Sequence, residues 1–311
     1  MLTPRILVIA GSDSGGGAGI QADIKTVTML GGHAMTAVTA ITAQNTLGVQ
    51  AVHPIPTAMV LAQIDSVVSD IGVDAVKIGM IGSAETANAV ADYFENLAPL
   101  PGREGSGVGG GPAEHRDRHN PTHPQPSGGS AMLPAWPEQR RALFARHSSR
   151  EGSRIPIIFD PVMVATTGAI LADTATIAAF TRLMRIATLV TPNLPELAAL
   201  DGEATIRALG PALLVKGGHA DGAIVEDRLI ADDGETLWTN PRIETRHSHG
   251  TGCTLASGVA TGLAAGLPLA DAIDRAIAFV RAALAAAPGL GEGHGPMGHA
   301  LGKIPFDTCR D

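Results

Sequence analysis

Short apolar runs alternate with longer amphipathic stretches along most of the chain. Arg5–Gly11 is an apolar run closed by glycine, which predicts a buried strand. A glycine loop at Gly15–Gly19 follows, and Ile20–Leu30 then predicts a helix stopped by Gly31 and Gly32. Ala34–Gln44 is apolar and β-branched and predicts a second buried strand, with Val49–Ile55 as a short strand beside it. Pro56–Ile71 predicts a helix with proline at its start, Asp74–Gly79 a strand and Ser83–Leu97 a helix. In the second half, Ile155–Asp160, Thr188–Val190 and Ala212–Lys216 predict strands, and Thr174–Ile186 and Leu194–Leu200 helices. Ile224–Trp238 predicts a hairpin turned at Asp232-Asp233-Gly234. Gly250–Gly266 and Leu269–Ala286 predict two closing helices. This alternation implies an α/β fold: a central, mostly parallel sheet with helices on both faces.

Pro101–Arg154 breaks the pattern. It carries Gly109-Gly110-Gly111, several prolines and Ser127-Gly128-Gly129-Ser130, the composition of a loop or disordered insertion. Within it only Trp136–Phe144 has the pattern for a helical turn or two. His115, His119 and His123 recur every four residues there, but Pro121 and the surrounding glycines argue against the helix that would align them on a metal.

Composition narrows the classes. Hydrophobic residues make up 45% of the 311 residues and aromatics only 3%, which suits closely packed helix-on-sheet layers. The formal charge of -8 gives no overall pull toward nucleic acid, and the densest basic pair, Arg140 and Arg141, reads as solvated surface. No apolar stretch is long enough to span a bilayer, and the N-terminus lacks the pattern of a signal peptide. Two cysteines, Cys253 and Cys309, make no disulfide framework in so long a chain, so a reduced, cytoplasmic setting is expected.

The candidate chemistry stands at predicted strand ends and helix starts. His249-Gly250-Thr251-Gly252-Cys253-Thr254 precedes an Ala-rich helix. Glycines there let backbone N–H groups converge on an anion at the positive end of the helix. Cys253 in the first turn has its thiolate favoured by that position and could accept a proton. Ala10–Gly19 is glycine-rich but lacks both the P-loop ending and the dinucleotide fingerprint; it reads either as a flexible lip over a substrate, with Asp23 facing the site, or as a plain flexible turn with a solvated Asp23, which the residues alone favour. Asp160, Asn193, Glu196 and Lys216 close strands or open the turns that follow, where ligands gather in parallel sheets. Lys216, with Gly218 beside it, could meet a phosphate, and Asn193 and Glu196 a hydrated Mg²⁺. The Gln44 carboxamide offers a donor and an acceptor together, which matches the edge of an aminopyrimidine.

Taken together, Ala10–Thr26 (AGSDSGGGAGIQADIKT), Thr42–Gly48 (TAQNTLG), Lys77–Met80 (KIGM), Asp160–Ala165 (DPVMVA), Thr191–Leu197 (TPNLPEL), Lys216–His219 (KGGH) and His249–Leu255 (HGTGCTL) resemble the hydroxymethylpyrimidine/phosphomethylpyrimidine kinases of thiamin biosynthesis. These enzymes belong to the ribokinase-like superfamily. The resemblance covers nearly the whole chain except the insertion. It implies a single ribokinase-like domain over residues 1–311 and two successive phosphorylations, of the hydroxymethylpyrimidine and then of its monophosphate, with ATP and Mg²⁺. It implies Cys253 as the base, with Lys216 and the amides around Gly250 and Gly252 holding phosphate. Gln44 would read the pyrimidine edge, with Gly11 and Asp23 near the ligand and Met80 and Val162 as apolar walls. Asn193, Glu196 and Gly218 would lie on the nucleotide side, and Glu196 and Asp160 near Mg²⁺ through water. A homodimer is also implied.

Three departures stand out. Thr166-Thr167-Gly168 replaces the family's usual Lys-Ser-Gly, which removes a cation and bears on the second phosphorylation. His247 stands where Asn is common, and Asp201–Pro211 is shorter than usual. The rival readings are a pyridoxine or pyridoxal kinase, a cysteine hydrolase pairing Cys253 with His249, and a non-catalytic pyrimidine sensor.

Overall fold

The structure is a computed structural model that describes residues 3–97, 154–165 and 168–302. The histidine tract, Arg140 and Arg141, Thr166, Thr167, Cys309 and nearly all of the predicted insertion lie outside the described residues. A nine-stranded sheet runs through the described part in the order β3-β2-β1-β4-β5-β6-β7-β8-β9. Its six inner strands are parallel: β2 (His33–Asn45), β1 (Arg5–Asp13), β4 (Ala75–Ile78), β5 (Ile157–Phe159), β6 (Leu189–Val190) and β7 (Ala212–Val215). One edge is closed by β3 (Gly48–Pro54), antiparallel to β2, and the other by the hairpin β8 (Ile224–Ala231) and β9 (Gly234–Pro241).

Alternate residues of the inner strands enter two different cores, so their sequences are apolar throughout rather than every second residue. From β1, Leu7 and Ile9 pack with α2 (Thr57–Asp70), α3 (Ala84–Leu97) and α4 (Thr174–Ile186). Ile6, Val8 and Ala10 pack with α1 (Gly19–Met29), α7 (Thr251–Ala264) and α8 (Leu269–Ala285). The short helices α5 (Leu194–Ala199) and α6 (Gly202–Arg207) join β6 to β7. Small residues let α7 and α8 approach closely. A Cβ added at Gly258 or Gly262 would come within 2.9 or 2.8 Å of the Ala276 or Ala272 side chain. Overfilling such a contact typically costs about 1–3 kcal/mol.

The expected element order is present, with three differences. β1 runs two residues further than its apolar run, because Ser12 and Asp13 pair with Ile41 and Thr42 of β2 after a register shift. The hairpin continues past Trp238 to Pro241. Helix α6 was not expected; it starts from Asp201, which adopts a left-handed φ of 60°. The chain builds outward to one side from β1 and to the other from β4, so the strand order reverses between them. A crevice for ligands opens beyond the carboxyl ends of strands at such a point.

Candidate active site

A cleft of about 1010 Å³ lies beyond those carboxyl ends. Gly11, Gln44, Met80, Val162, Asp160, Asn193, Glu196, Lys216, Gly218, Gly250, Gly252 and Cys253 all line it. Asp23, expected to face a ligand, does not. It is fully buried beneath the cleft, where its carboxylate takes Lys77 Nζ at 2.9 Å and the Ser257 hydroxyl at 2.7 Å. Its position on α1 points it at the sheet, where β4 supplies the fully buried Lys77. Lys77, quoted above only as part of the KIGM motif, is thus a structural partner of Asp23. A lysine inside an apolar strand is the signal, since lysine is almost never fully buried unless paired.

The phosphate-binding candidates converge around Lys216, which follows β7. Its amine donates to Asp160 Oδ1 at 2.6 Å and lies 3.8 Å from Glu196 Oε2. Thr191 adds a hydroxyl bond of 3.1 Å to the same Asp160 oxygen. Asn193 caps α5 by accepting from the Glu196 amide at 2.9 Å, while Glu196 accepts from the Asn193 amide at 2.8 Å. This reciprocal cap holds the Glu196 carboxylate at the cleft wall. Burial pushes its pKa up, and nearby Asp160 adds to the rise while Lys216 opposes it. Gly252, at the start of α7, abuts this group: a Cβ there would lie 3.2 Å from Lys216 Nζ and 3.4 Å from Asp160 Oδ2.

Among the described residues no three His, Cys, Asp or Glu side chains gather as a metal-ligand set. Asp160 and Glu196 already accept protein hydrogen bonds on at least one oxygen each. If Mg²⁺ binds here, Asp160 and Glu196 would be the residues to hold it, through water.

Cys253 is half-buried in the first turn of α7. Lys77 and a bond from the Gly19 amide favour its thiolate. Burial outweighs them, and the Asp23 and Asp160 carboxylates add to it. The thiol is pushed up to about 11, so it is protonated at neutral pH. The expectation of a favoured thiolate is corrected by burial first, with two carboxylates far from Cys253 in sequence adding to it.

The two glycine motifs lie face to face. Gly250 has φ 91°, and a Cβ on it would stand 1.9 Å from the Gly17 carbonyl oxygen. Asp13 ties the first motif together, accepting from the amides of Gly15, Gly17 and Ala18 at 2.8, 2.9 and 2.8 Å. Its Oδ2 also lies 3.0 Å from His249 Nε2, which in turn lies 3.0 Å from the Gln44 amide. His249 therefore faces Asp13 and Gln44, which weighs against the rival reading of a Cys253–His249 hydrolase pair. The Asp13 role was missed, although an aspartate opening a Gly-rich turn commonly bonds the amides just after it.

The chain as a whole is similar to known proteins. The family model described as Phosphomethylpyrimidine kinase matches residues 13–101 and 142–298. The unmatched residues between the two segments, 102–141, fall within the predicted insertion. Hydroxymethylpyrimidine/phosphomethylpyrimidine kinases of Rhizobium meliloti and Streptomyces coelicolor are 40% and 39% identical over 317 residues. The alignments cover 96% of this chain in both cases, and 97% and 96% of those proteins. The thiamine biosynthesis bifunctional protein ThiED of Geobacter sulfurreducens is 39% identical over 310 residues, 95% of this chain and 52% of that protein. Among solved structures, the pyridoxal kinase of Staphylococcus aureus in complex with AMP-PCP and pyridoxal superposes with a TM-score of 0.71 at 25% identity, covering 96% of this chain and 94% of that one. With its motifs and its full-length relatives in agreement, the chain belongs to the phosphomethylpyrimidine kinase family.

Proposed function

We propose that this protein transfers the γ-phosphoryl group of ATP to the hydroxyl of 4-amino-5-hydroxymethyl-2-methylpyrimidine, and a second one to the resulting monophosphate, in thiamin biosynthesis. The observation that carries this reading is the convergence of Gly252, Lys216, Asp160 and Cys253 on one wall of a cleft that also presents Gln44. In the first transfer the substrate oxygen bonds to the γ-phosphorus, the bond to the bridging oxygen of ADP breaks, and the hydroxyl proton passes to the Cys253 thiolate, which forms only after the thiol has released its own proton to solvent. Lys77 and the Gly19 amide favour that thiolate, against the burial and the two carboxylates that raise the thiol pKa. Lys216 and the amides at the start of α7 hold the developing negative charge, the main device of phosphoryl transfer. Gln44 reads the pyrimidine edge, Gly11, Met80 and Val162 pack on the ring, and Asn193 and Gly218 border the nucleotide. Mg²⁺, near Asp160 and Glu196, neutralises phosphate charge when bound.

The AMP-PCP in the Staphylococcus aureus neighbour supports ATP as the donor. That neighbour also favours a second reading, in which pyridoxal is the acceptor, since it too is a hydroxymethyl heteroaromatic. The reading includes a single catalytic domain, a homodimer and a cytoplasmic setting; sedimentation of the purified protein tests the dimer. The main test follows products by mass spectrometry after adding Mg-ATP and the pyrimidine. Monophosphate followed by diphosphate is expected. Monophosphate alone would restrict the activity to the first transfer, and pyridoxal phosphate formed in preference would move the assignment to the second reading. Full activity in Cys253→Ala would remove Cys253 as the base.

A further inference from the structure

A single carboxamide can read two mirror-image patterns. Turned by 180° about its last bond, glutamine exchanges its donor and its acceptor. A 4-aminopyrimidine presents an N–H donor beside a ring-nitrogen acceptor, and its 4-oxo counterpart presents an acceptor beside an N–H donor. A freely turning Gln44 serves both equally, so discrimination requires the amide to be held one way round.

The neighbours of Gln44 impose that orientation. Thr42 Oγ1 lies 3.0 Å from the Ser12 carbonyl oxygen and 3.2 Å from Gln44 Oε1. The hydroxyl has one proton and a carbonyl can only accept, so the proton goes to Ser12. Thr42 then offers Gln44 a lone pair, which calls for an N–H. At the other end, His249 Nε2 lies 3.0 Å from Asp13 Oδ2 and 3.0 Å from Gln44 Nε2. Burial alone would raise the Asp13 pKa, but the bond to His249 and the backbone amides bring it below the usual carboxylate range. Asp13 is therefore ionised, and an imidazole nitrogen facing it carries a proton. That proton also faces Gln44, which must answer with oxygen. With nitrogen toward His249 and oxygen toward Thr42, the amide meets a like group at both ends; turned over, it satisfies both with no other atom moved. Asp13, Thr42 and His249 are 3%, 4% and 6% exposed, so water is poorly placed to relieve a mismatch.

We propose that Asp13 and His249 at one end, and Thr42 on the Ser12 carbonyl at the other, lock the Gln44 carboxamide in one orientation, and that this lock makes the cleft select a 4-aminopyrimidine alcohol over its 4-oxo counterpart. The proposal deepens the reading of Gln44 as the partner of the pyrimidine edge and rests on it. Asp13, His249 and Thr42 act through Gln44 and are positioning residues.

The test is the ratio of dissociation constants for the two pyrimidines, measured by calorimetry on the intact protein without nucleotide. A general disturbance of the site changes both constants together and leaves the ratio alone. The unsubstituted protein is expected to favour the amino compound by about tenfold or more. Thr42→Val, of equal shape, and His249→Phe should each bring the ratio toward one, and Gln44→Ala should weaken both ligands. An unchanged ratio in Thr42→Val and in any folded His249→Phe protein, with Gln44→Ala still weakened, would overturn the lock alone. Unchanged binding in Gln44→Ala would overturn the reading of Gln44 and the lock with it.

Discussion

Two lysine–aspartate pairs underlie this site, and they differ in access to the cleft. Lys77 and Asp23 meet at 2.9 Å with both side chains fully buried. Lys216 and Asp160 meet at 2.6 Å on the cleft wall, with 12% and 2% of their side chains exposed. The sealed pair is balanced in charge, and Ser257 completes the Asp23 bonding. The open pair has an excess of negative charge, because Glu196 adds a second carboxylate 3.8 Å from the one lysine. A balanced pair cut off from solvent cannot exchange partners. An unbalanced pair on a cleft wall has room for another cation and can release its lysine to a phosphate. Similar residues thus form a sealed pair in one place and a cleft-lining pair in the other, and under the proposed function only the second meets a ligand.

The largest expected effect comes from breaking the sealed pair. Lys77→Met leaves the Asp23 carboxylate buried without its cation, which should cost about 3–5 kcal/mol of stability. The midpoint of urea unfolding measures this. Adding Asp23→Asn to Lys77→Met removes the stranded charge and should recover most of the loss. If Lys77→Met alone unfolds at the unsubstituted midpoint, the sealed pair is not structural and the contrast fails.

Breaking the open pair should act on rate instead. Lys216→Met is expected to lower the turnover of the pyrimidine by about 10²–10³-fold, the usual cost of losing a group that stabilises transition-state charge. Its unfolding midpoint should shift far less than that of Lys77→Met, because Asp160 and Glu196 border the cleft and water can reach them. A midpoint shift as large as that of Lys77→Met would show that both lysines are structural.

The distinction between the pairs was only partly legible in the sequence. Strand β1 was readable because both its faces are buried, leaving an unbroken apolar run at Ile6–Ala10. Lys216, Gly252 and Cys253 were readable as candidates because a strand end and a helix start are local features. Asp23 was found but misplaced, because its partners Lys77 and Ser257 lie 54 and 234 positions away. The Asp13–His249 contact spans 236 positions and joins two motifs that looked independent in the sequence. Local patterns announce which residues are chemical; only the packing of α1 and α7 over the sheet says which of them meet.

The smallest effect is the most specific, because it concerns how both pairs act on Cys253. The thiol is pushed up to about 11 by burial first, with Asp23 and Asp160 adding to the rise and Lys77 opposing it. In a Cys309→Ser background, alkylation by iodoacetamide should therefore be slow at pH 7 and quicken about tenfold per pH unit until the thiol ionises, since the thiolate is the nucleophile. The sign of each substitution follows. Asp160→Asn removes a carboxylate near the sulfur, favours the thiolate and should quicken alkylation at pH 8 by a few-fold, equivalent to a shift of about half a pH unit. Lys77→Met combined with Asp23→Asn removes one influence of each sign and should leave the rate nearly unchanged. If Asp160→Asn slows alkylation, the open pair acts on Cys253 by shaping access to it rather than through its charge, and the electrostatic half of the comparison has to be abandoned.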